Sequence, residues 1–199
     1  MLGFGRKKTL KVRTYGDPAL RRKALPVKII DNEIIDFAEQ LVFAMMKYDG
    51  VGLAATQVAV DLRMIALGVS TPKVREDKAG FVLSPGEMQL LPMMPMVMIN
   101  PEIISYSPLA EVAEEGCLSL PDIYADVKRP GSVLVRAQSI DGRIIAVECG
   151  GLLGRALQHE IDHLNGILFV DRVSDSEMTK IKNKLEKLEK STIKKGFSE

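Results

Sequence analysis

Gln158-His159-Glu160-Ile161-Asp162-His163 contains both histidines of a 199-residue chain. On a helix, residues four apart lie nearly one above the other, so His159 and His163 share a face and can reach one metal ion. Glu160 stands about 100° round from His159, at roughly 3.6 residues per turn, where it can touch a water on that ion. Two imidazoles, a carboxylate and a water make up most of a hydrolytic metal site. A lone histidine on an apolar helix is more often a hydrogen-bonded core residue. Two at this spacing, with a glutamate between them, favour a metal.

The flanking residues predict the helix itself. Gly150 and Gly151 punctuate its start, and Asn165-Gly166 supplies the stop. Leu153, Leu157, Ile161 and Leu164 make one apolar stripe, and Leu152, Ala156, His159 and His163 make its neighbour. One side can therefore pack on a core while the other lines a pocket.

Further out, residues 31–48 carry Ile34, Phe37, Leu41, Ala44 and Met45 at helical spacing. Asp31 is the expected N-cap, and Gly50 and Gly52 the expected stop. Residues 62–69 and 96–99 read as strands, as do 112–113, 124–127, 132–137 and 143–147. Asp141-Gly142 predicts a two-residue hairpin turn between the last two. Residues 71–95 mix charges with four prolines and read as a long unstructured connection, ending in a methionine-rich packing patch. Arg21-Arg22-Lys23 reads as a solvated basic surface. Residues 176–190 predict a lysine-rich helix whose Met178, Ile181, Leu185 and Leu188 dock on the same domain. The expected class is α+β in one domain spanning residues 1–199. It would have short, mostly antiparallel strands around a central metal-binding helix, one N-terminal helix, and a C-terminal helix and tail over 176–199. Residues 1–9 are expected to be flexible.

Composition is that of an ordinary globular domain, 46% hydrophobic and 27% charged. A net charge of +1 demands neither DNA nor an acidic surface as partner. No apolar run approaches the roughly 20 residues of a membrane span. The first residues carry basic side chains without the apolar stretch of a secretory signal. Two cysteines, Cys117 and Cys149, fit free thiols in a reducing cytoplasm better than a disulfide scaffold.

A catalytic site of this type needs a third protein ligand and an open position. The chain has no third histidine. Glu177 and Glu186 stand in a lysine-rich run and read as solvent-facing. Cys117 stands in Glu114-Glu115-Gly116-Cys117-Leu118-Ser119, where glycine allows close backbone approach and the polar neighbours argue against a purely apolar niche.

Three segments together resemble peptide deformylase of the bacterial, iron- or zinc-dependent type. They are Gly50-Val51-Gly52-Leu53-Ala54-Ala55-Thr56-Gln57, Glu115-Gly116-Cys117-Leu118-Ser119, and the histidine segment continued through Leu164-Asn165-Gly166. They fall in the family's order, and the resemblance runs from about residue 12 to 190. It implies that Cys117, His159 and His163 bind one divalent ion, Fe2+ first, with Zn2+, Ni2+ or Co2+ also suited to the donors. It implies that Glu160 takes a proton from the attacking water and passes it to the leaving amine. The Gln57 amide and the Leu118 N–H would hold the oxyanion. Val51, Gly52, Glu115, Gly116, Leu152, Arg155 and Ala156 would bind the substrate, with Arg155 at the rim equally suited to an ion pair.

The substrate so implied is an N-formylmethionyl peptide or nascent chain. The implied setting is the cytoplasm, with a transient ribosome contact through the C-terminal helix and no membrane or DNA partner. Formyl specificity comes from the resemblance alone. The histidine spacing by itself also fits a metallopeptidase with a carboxylate third ligand, or a non-catalytic domain closed by a fourth ligand.

Overall fold

Met64, Ile65, Ala66 and Leu67 form a strand with no polar face, fully buried at the heart of the molecule. The reason is visible in the computed structural model, which describes residues 10–70 and 83–197. The strand belongs to a sheet covered on both sides, and such strands read as continuous apolar runs.

Among the described residues the elements run α1 (Asn32–Lys47), β1 (Gly52–Ala54), β2 (Met64–Leu67), α2 (Pro85–Leu90), β3 (Met96–Tyr106), β4 (Ala110–Cys117), β5 (Leu120–Pro130), β6 (Ser132–Gln138), β7 (Ile144–Gly150), α3 (Gly151–Leu164) and α4 (Asp175–Lys195). The main sheet has the order β1-β2-β3-β6-β7, and β4-β5 form a separate hairpin. Every pairing between these described strands is antiparallel. This is the single-domain α+β architecture expected.

Alternation along the strands divides the core. Ile65, Leu67, Met98, Val133 and Val135 pack on Leu153, Leu157, Ile161 and Leu164, the predicted stripe of α3. Met64, Ala66, Val97 and Ile99 point the other way, onto Leu41, Ala44 and Met45 of α1. Ile123, Ala125 and Val127 of β5 form a third cluster with Ile181 and Leu185 of α4, so the C-terminal helix docks on its own domain. Truncating a fully buried leucine such as Leu157 removes contacts worth about 2–5 kcal/mol.

The structure corrects several boundaries. Asp31 caps α1 through Ile34 N–H at 3.0 Å, as expected. No glycine stops that helix, however. Asp49 turns into the left-handed region at φ 54°, and Gly50 N–H returns to Met45 O at 3.0 Å. Gly50 and Gly52 are needed for space: a Cβ on Gly50 would lie 2.7 Å from the Leu118 side chain, and one on Gly52 2.4 Å from Glu160 Oε1.

The end of the supposed loop 71–95 is helical. Residues 71–82 lie outside the described residues, but α2 and a 3-10 turn at Leu91–Met93 cover residues 85–93. Ser84 and Glu87 form a reciprocal capping box with Pro85 in the first turn. The hairpin between β6 and β7 has a longer turn than two residues. Gly142 N–H bonds Ser139 O and Ser139 N–H bonds Arg143 O, each at 2.9 Å, with Gly142 at φ 81° as the glycine bulge. The predicted strands at 96–99, 112–113 and 124–127 extend to β3, β4 and β5. The strand at 62–69 shortens to β2, 143–147 moves to β7, and helix 176–190 lengthens to α4. Arg21, Arg22 and Lys23 are exposed, as expected, and the two arginines pair with Asp171 and Asp61 at the surface.

Candidate active site

Helix α3 enters from β7 with Gly150 as its N-cap and runs between the main sheet and the β4-β5 hairpin. Its polar stripe meets the tip of that hairpin. Cys117 ends β4, Leu118 and Ser119 make the turn, and Leu120 begins β5. Tyr15 N–H bonds Ser119 O at 2.8 Å and ties the turn to the N-terminal segment.

These elements bring three soft or borderline donors together. Cys117 Sγ lies 3.2 Å from His163 Nε2, which lies 3.2 Å from His159 Nε2. All three donor atoms fall within 4.8 Å of one another. Tetrahedral ligands each roughly 2.1 Å from one ion stand about 3.4 Å apart, so the cluster has the right size. Its electrostatics agree. In the chain alone, burial disfavours a charged His159, yet Cys117 and Glu115 raise its pKa to about 10; the cluster favours a positive charge, which a bound cation would supply in place of the Nε2 proton. Burial, then repulsion from His159, drives His163 well below the ordinary histidine range and keeps it neutral, the form that ligates.

Glu115 sets the first imidazole. Its Oε2 lies 2.9 Å from His159 Nδ1. A carboxylate only accepts, so Nδ1 carries a proton, and Nε2 is the nitrogen that faces the cluster and would ligate an ion. Arg129 binds both Glu115 oxygens, Nε to Oε1 at 2.6 Å and Nη2 to Oε2 at 2.9 Å. Arg155 Nη1 adds a bond to Oε1 at 2.8 Å. Burial raises the Glu115 pKa, but hydrogen bonds from His159 and Arg129 outweigh it and hold the carboxylate at about 2. Arg155 also bonds Val127 O and Glu111 O, so it is a half-buried brace under the hairpin as well as a cavity wall.

Gln57 follows β1 in a 3-10 turn, Ala55–Val58, and is 1% exposed. Its Oε1 accepts from Ala54 N–H at 2.8 Å, which fixes the amide. Nε2 then faces Ser119 Oγ at 3.1 Å and Cys117 Sγ at 3.4 Å. Glu160 is buried beside Gly52, and burial pushes its pKa up to about 7. Its Oε2 has no hydrogen-bond partner among the described residues.

A cavity of about 550 Å³ opens against this arrangement. It is lined by Val51, Gly52, Gln57, Glu115, Gly116, Cys117, Leu118, Leu152, Arg155, Ala156, His159 and Glu160, which include all the expected positions except His163. His163 lies behind, 1% exposed. Tyr48 and Tyr124 also line the mouth, and neither stood out in the sequence. Glu186 is exposed and Glu177 is partly covered, accepting from Asp126 N–H at 3.3 Å; neither takes part in the donor cluster.

A cysteine and two imidazoles clustered beside a cavity, with a buried carboxylate next to them, are the residues of a metal-dependent hydrolase. The comparisons with known proteins make the class specific. A family model described as polypeptide deformylase matches residues 9–179. Peptide deformylase of Thermotoga neapolitana is 36% identical over 91% of this chain and 97% of its own. That of Rhizobium meliloti is 42% identical over 79% and 81%. Among solved structures, a plant peptide deformylase superposes with a TM-score of 0.79 at 33% identity, over 98% of this chain and 96% of its own. That from Thermotoga maritima gives 0.71 at 36% identity, over 84% and 99%. The chain belongs to the polypeptide deformylase family.

Proposed function

We propose that Cys117, His159 and His163 hold one divalent ion and that Glu160 is the base in removal of the formyl group from N-formylmethionyl peptides. The observation that carries this is the clustering of those three donors, with an unpartnered Glu160 oxygen, beside one open cavity. When bound, the ion supplies Lewis acidity to the water and the formyl oxygen. The donor set suits several first-row ions, and the family resemblance favours Fe2+, then Zn2+, Ni2+ or Co2+.

The chain's own groups do the rest. Glu160 accepts a proton as the water oxygen bonds to the formyl carbon. The oxyanion so formed meets the Gln57 amide, already aimed by Ala54, and the Leu118 N–H at the hairpin turn. Glu160 returns the proton to the peptide nitrogen as the C–N bond breaks, releasing formate and a free amino terminus. Backbone groups of Gly52 and Gly116 take the extended peptide, and its methionine side chain enters beside Leu152 and Ala156.

No described helix is long and apolar enough to cross a membrane. A cytoplasmic site of action on nascent chains fits this reaction, and exposed lysines along α4 offer a salt-sensitive ribosome contact.

The deciding experiment measures formate release from a formyl-methionyl tripeptide with iron- or nickel-loaded protein under anaerobic conditions. No turnover above buffer would sink the reading. Cleavage of internal peptide bonds by a Cys117→Ser variant that keeps its metal would favour a peptidase instead.

The ligand assignment also predicts a thiol count. Cys149 is fully buried, and burial pushes its pKa up to about 12. Cys117 is only half-buried. A disulfide reagent should label no cysteine in loaded protein, one after chelation and two after unfolding. Rapid labelling of Cys117 with the metal in place would count against its being a ligand.

A further inference from the structure

The charges behind His159 do not end at Glu115. Arg129 holds Glu115 through Nε and Nη2 and extends Nη1 to Asp162 Oδ2 at 2.7 Å. Asp162 stands on α3 between the two histidines and is 6% exposed. Arg155 shares Glu115 with Arg129, at 2.8 Å, but does not reach Asp162. A further guanidinium for Asp162 comes from outside the helix: Arg172 Nε and Nη2 each lie 2.5 Å from Asp162, on Oδ2 and Oδ1.

Arg172 belongs to a short brace between α3 and α4. Phe169 in the same brace stacks on His159, with ring centroids 6.1 Å apart and planes 22° apart. Arg172 N–H bonds Phe169 O at 3.0 Å. Val173 bridges to Val127, two residues before Arg129 on β5. The brace therefore touches both the ligand helix and the strand that carries Arg129.

We propose that Arg172 is a positioning residue for the metal centre, acting through Asp162, Arg129 and Glu115 on His159. This rests on reading Cys117, His159 and His163 as the ligands. With Arg172 in place, both Asp162 oxygens are occupied and the Nε/Nη2 side of Arg129 is left to Glu115. Without it, Asp162 is a buried carboxylate with one partner, and Arg129 is pulled between two acids. Arg155 still bonds Oε1, but Oε2, the oxygen that faces His159, loses part of its hold from Arg129. Arg172 is itself 40% exposed, but the carboxylate it neutralises is buried, and a buried charge that loses a partner costs more than an exposed pair does.

The test compares Arg172→Gln and Arg172→Lys with the unaltered protein. Affinity for Zn2+ and Co2+ is measured by competition with a chromophoric chelator, alongside the Co2+ absorption bands. Partners behind a ligating histidine are typically worth 10- to 100-fold in affinity, and a group this far out should fall at the lower end. R172Q should weaken binding about tenfold and shift the bands, and R172K should recover part of both. In a Glu115→Gln background, where the relay is already cut, R172Q should add less than about twofold.

Unaltered protein that binds no Co2+ would overturn the ligand assignment itself. Normal Co2+ binding in that protein, with unchanged affinity and bands in R172Q, would overturn the role of Arg172 alone. So would an equal drop in melting temperature of the chelated and loaded R172Q forms, which marks a brace for the fold and not for the metal.

Discussion

Glu160→Gln should lower kcat/KM for a formyl-methionyl peptide by about a thousandfold while leaving the bound metal in place. A positioned proton acceptor is typically worth 10²–10⁴ in rate, and glutamine keeps the shape but cannot take the proton. Glu160 is absent from the donor cluster, so metal content should not change. Activity within tenfold of the unaltered enzyme, at equal metal content, would remove Glu160 from the mechanism.

The same substitution should stabilise the chelated protein at high pH. Glu160 is 4% exposed, and burial raises its pKa from 4.5 to about 7. The folded state thus holds a proton that the unfolded state has already lost. Stability falls as pH rises from 4.5 towards 7, and the penalty is complete above that, on the order of 3 kcal/mol. Glutamine carries no such penalty. Denaturant unfolding of chelated protein should therefore favour Glu160→Gln at pH 8, and the gap should close near pH 5. A gap of the same size at both pH values would mean that the carboxylate is not desolvated as its burial implies. A base for water at neutral pH and a group that costs the fold free energy are thus one and the same residue.

What could be read from the sequence depended on how locally each feature is encoded. The His159-Glu160-His163 geometry follows from helical pitch alone, and the paired stripes of α3 told which side meets the core. Cys117 and Gln57 lie 42 and 102 residues before His159; Cys117 could be singled out as a candidate third ligand from its neighbours, but only segment resemblance joined Gln57 to the site. Their convergence is a product of the β4-β5 turn and the turn after β1. Ser84-Pro85-Gly86-Glu87 held a complete capping box, yet the surrounding prolines and charges drew the eye to disorder. The end of α1 could not be read in advance, because an aspartate took the left-handed position where glycine is the usual choice.

The buried charges behind the ligands were the largest omission. Residues 123, 125 and 127 of β5 alternate inward, and Arg129 takes the next inward place. A charge at a core position of a strand implies a buried partner. The predicted strand stopped at Val127 and missed it. Which partner it finds could not be read, since Glu115 lies across the hairpin and Asp162 on another element.

Arg129→Met tests that network most severely. Arg129 is 3% exposed and carries ion pairs to Glu115 and Asp162. Methionine fills a similar volume and leaves both carboxylates under-neutralised. Removing one partner of a buried pair typically costs about 3–5 kcal/mol, because the surviving charges stay in low dielectric. At roughly 2–4 °C per kcal/mol for a chain this size, the chelated protein should melt about 10 °C lower. Metal affinity should fall as well, since Glu115 no longer fixes the His159 tautomer as firmly. Adding Asp162→Asn removes one of the stranded charges and should return part of the lost stability, which a simple packing defect would not. A fall of less than 3 °C in the single variant, or a double variant no more stable than the single, would mean that Arg155 and Arg172 already suffice to neutralise the two acids.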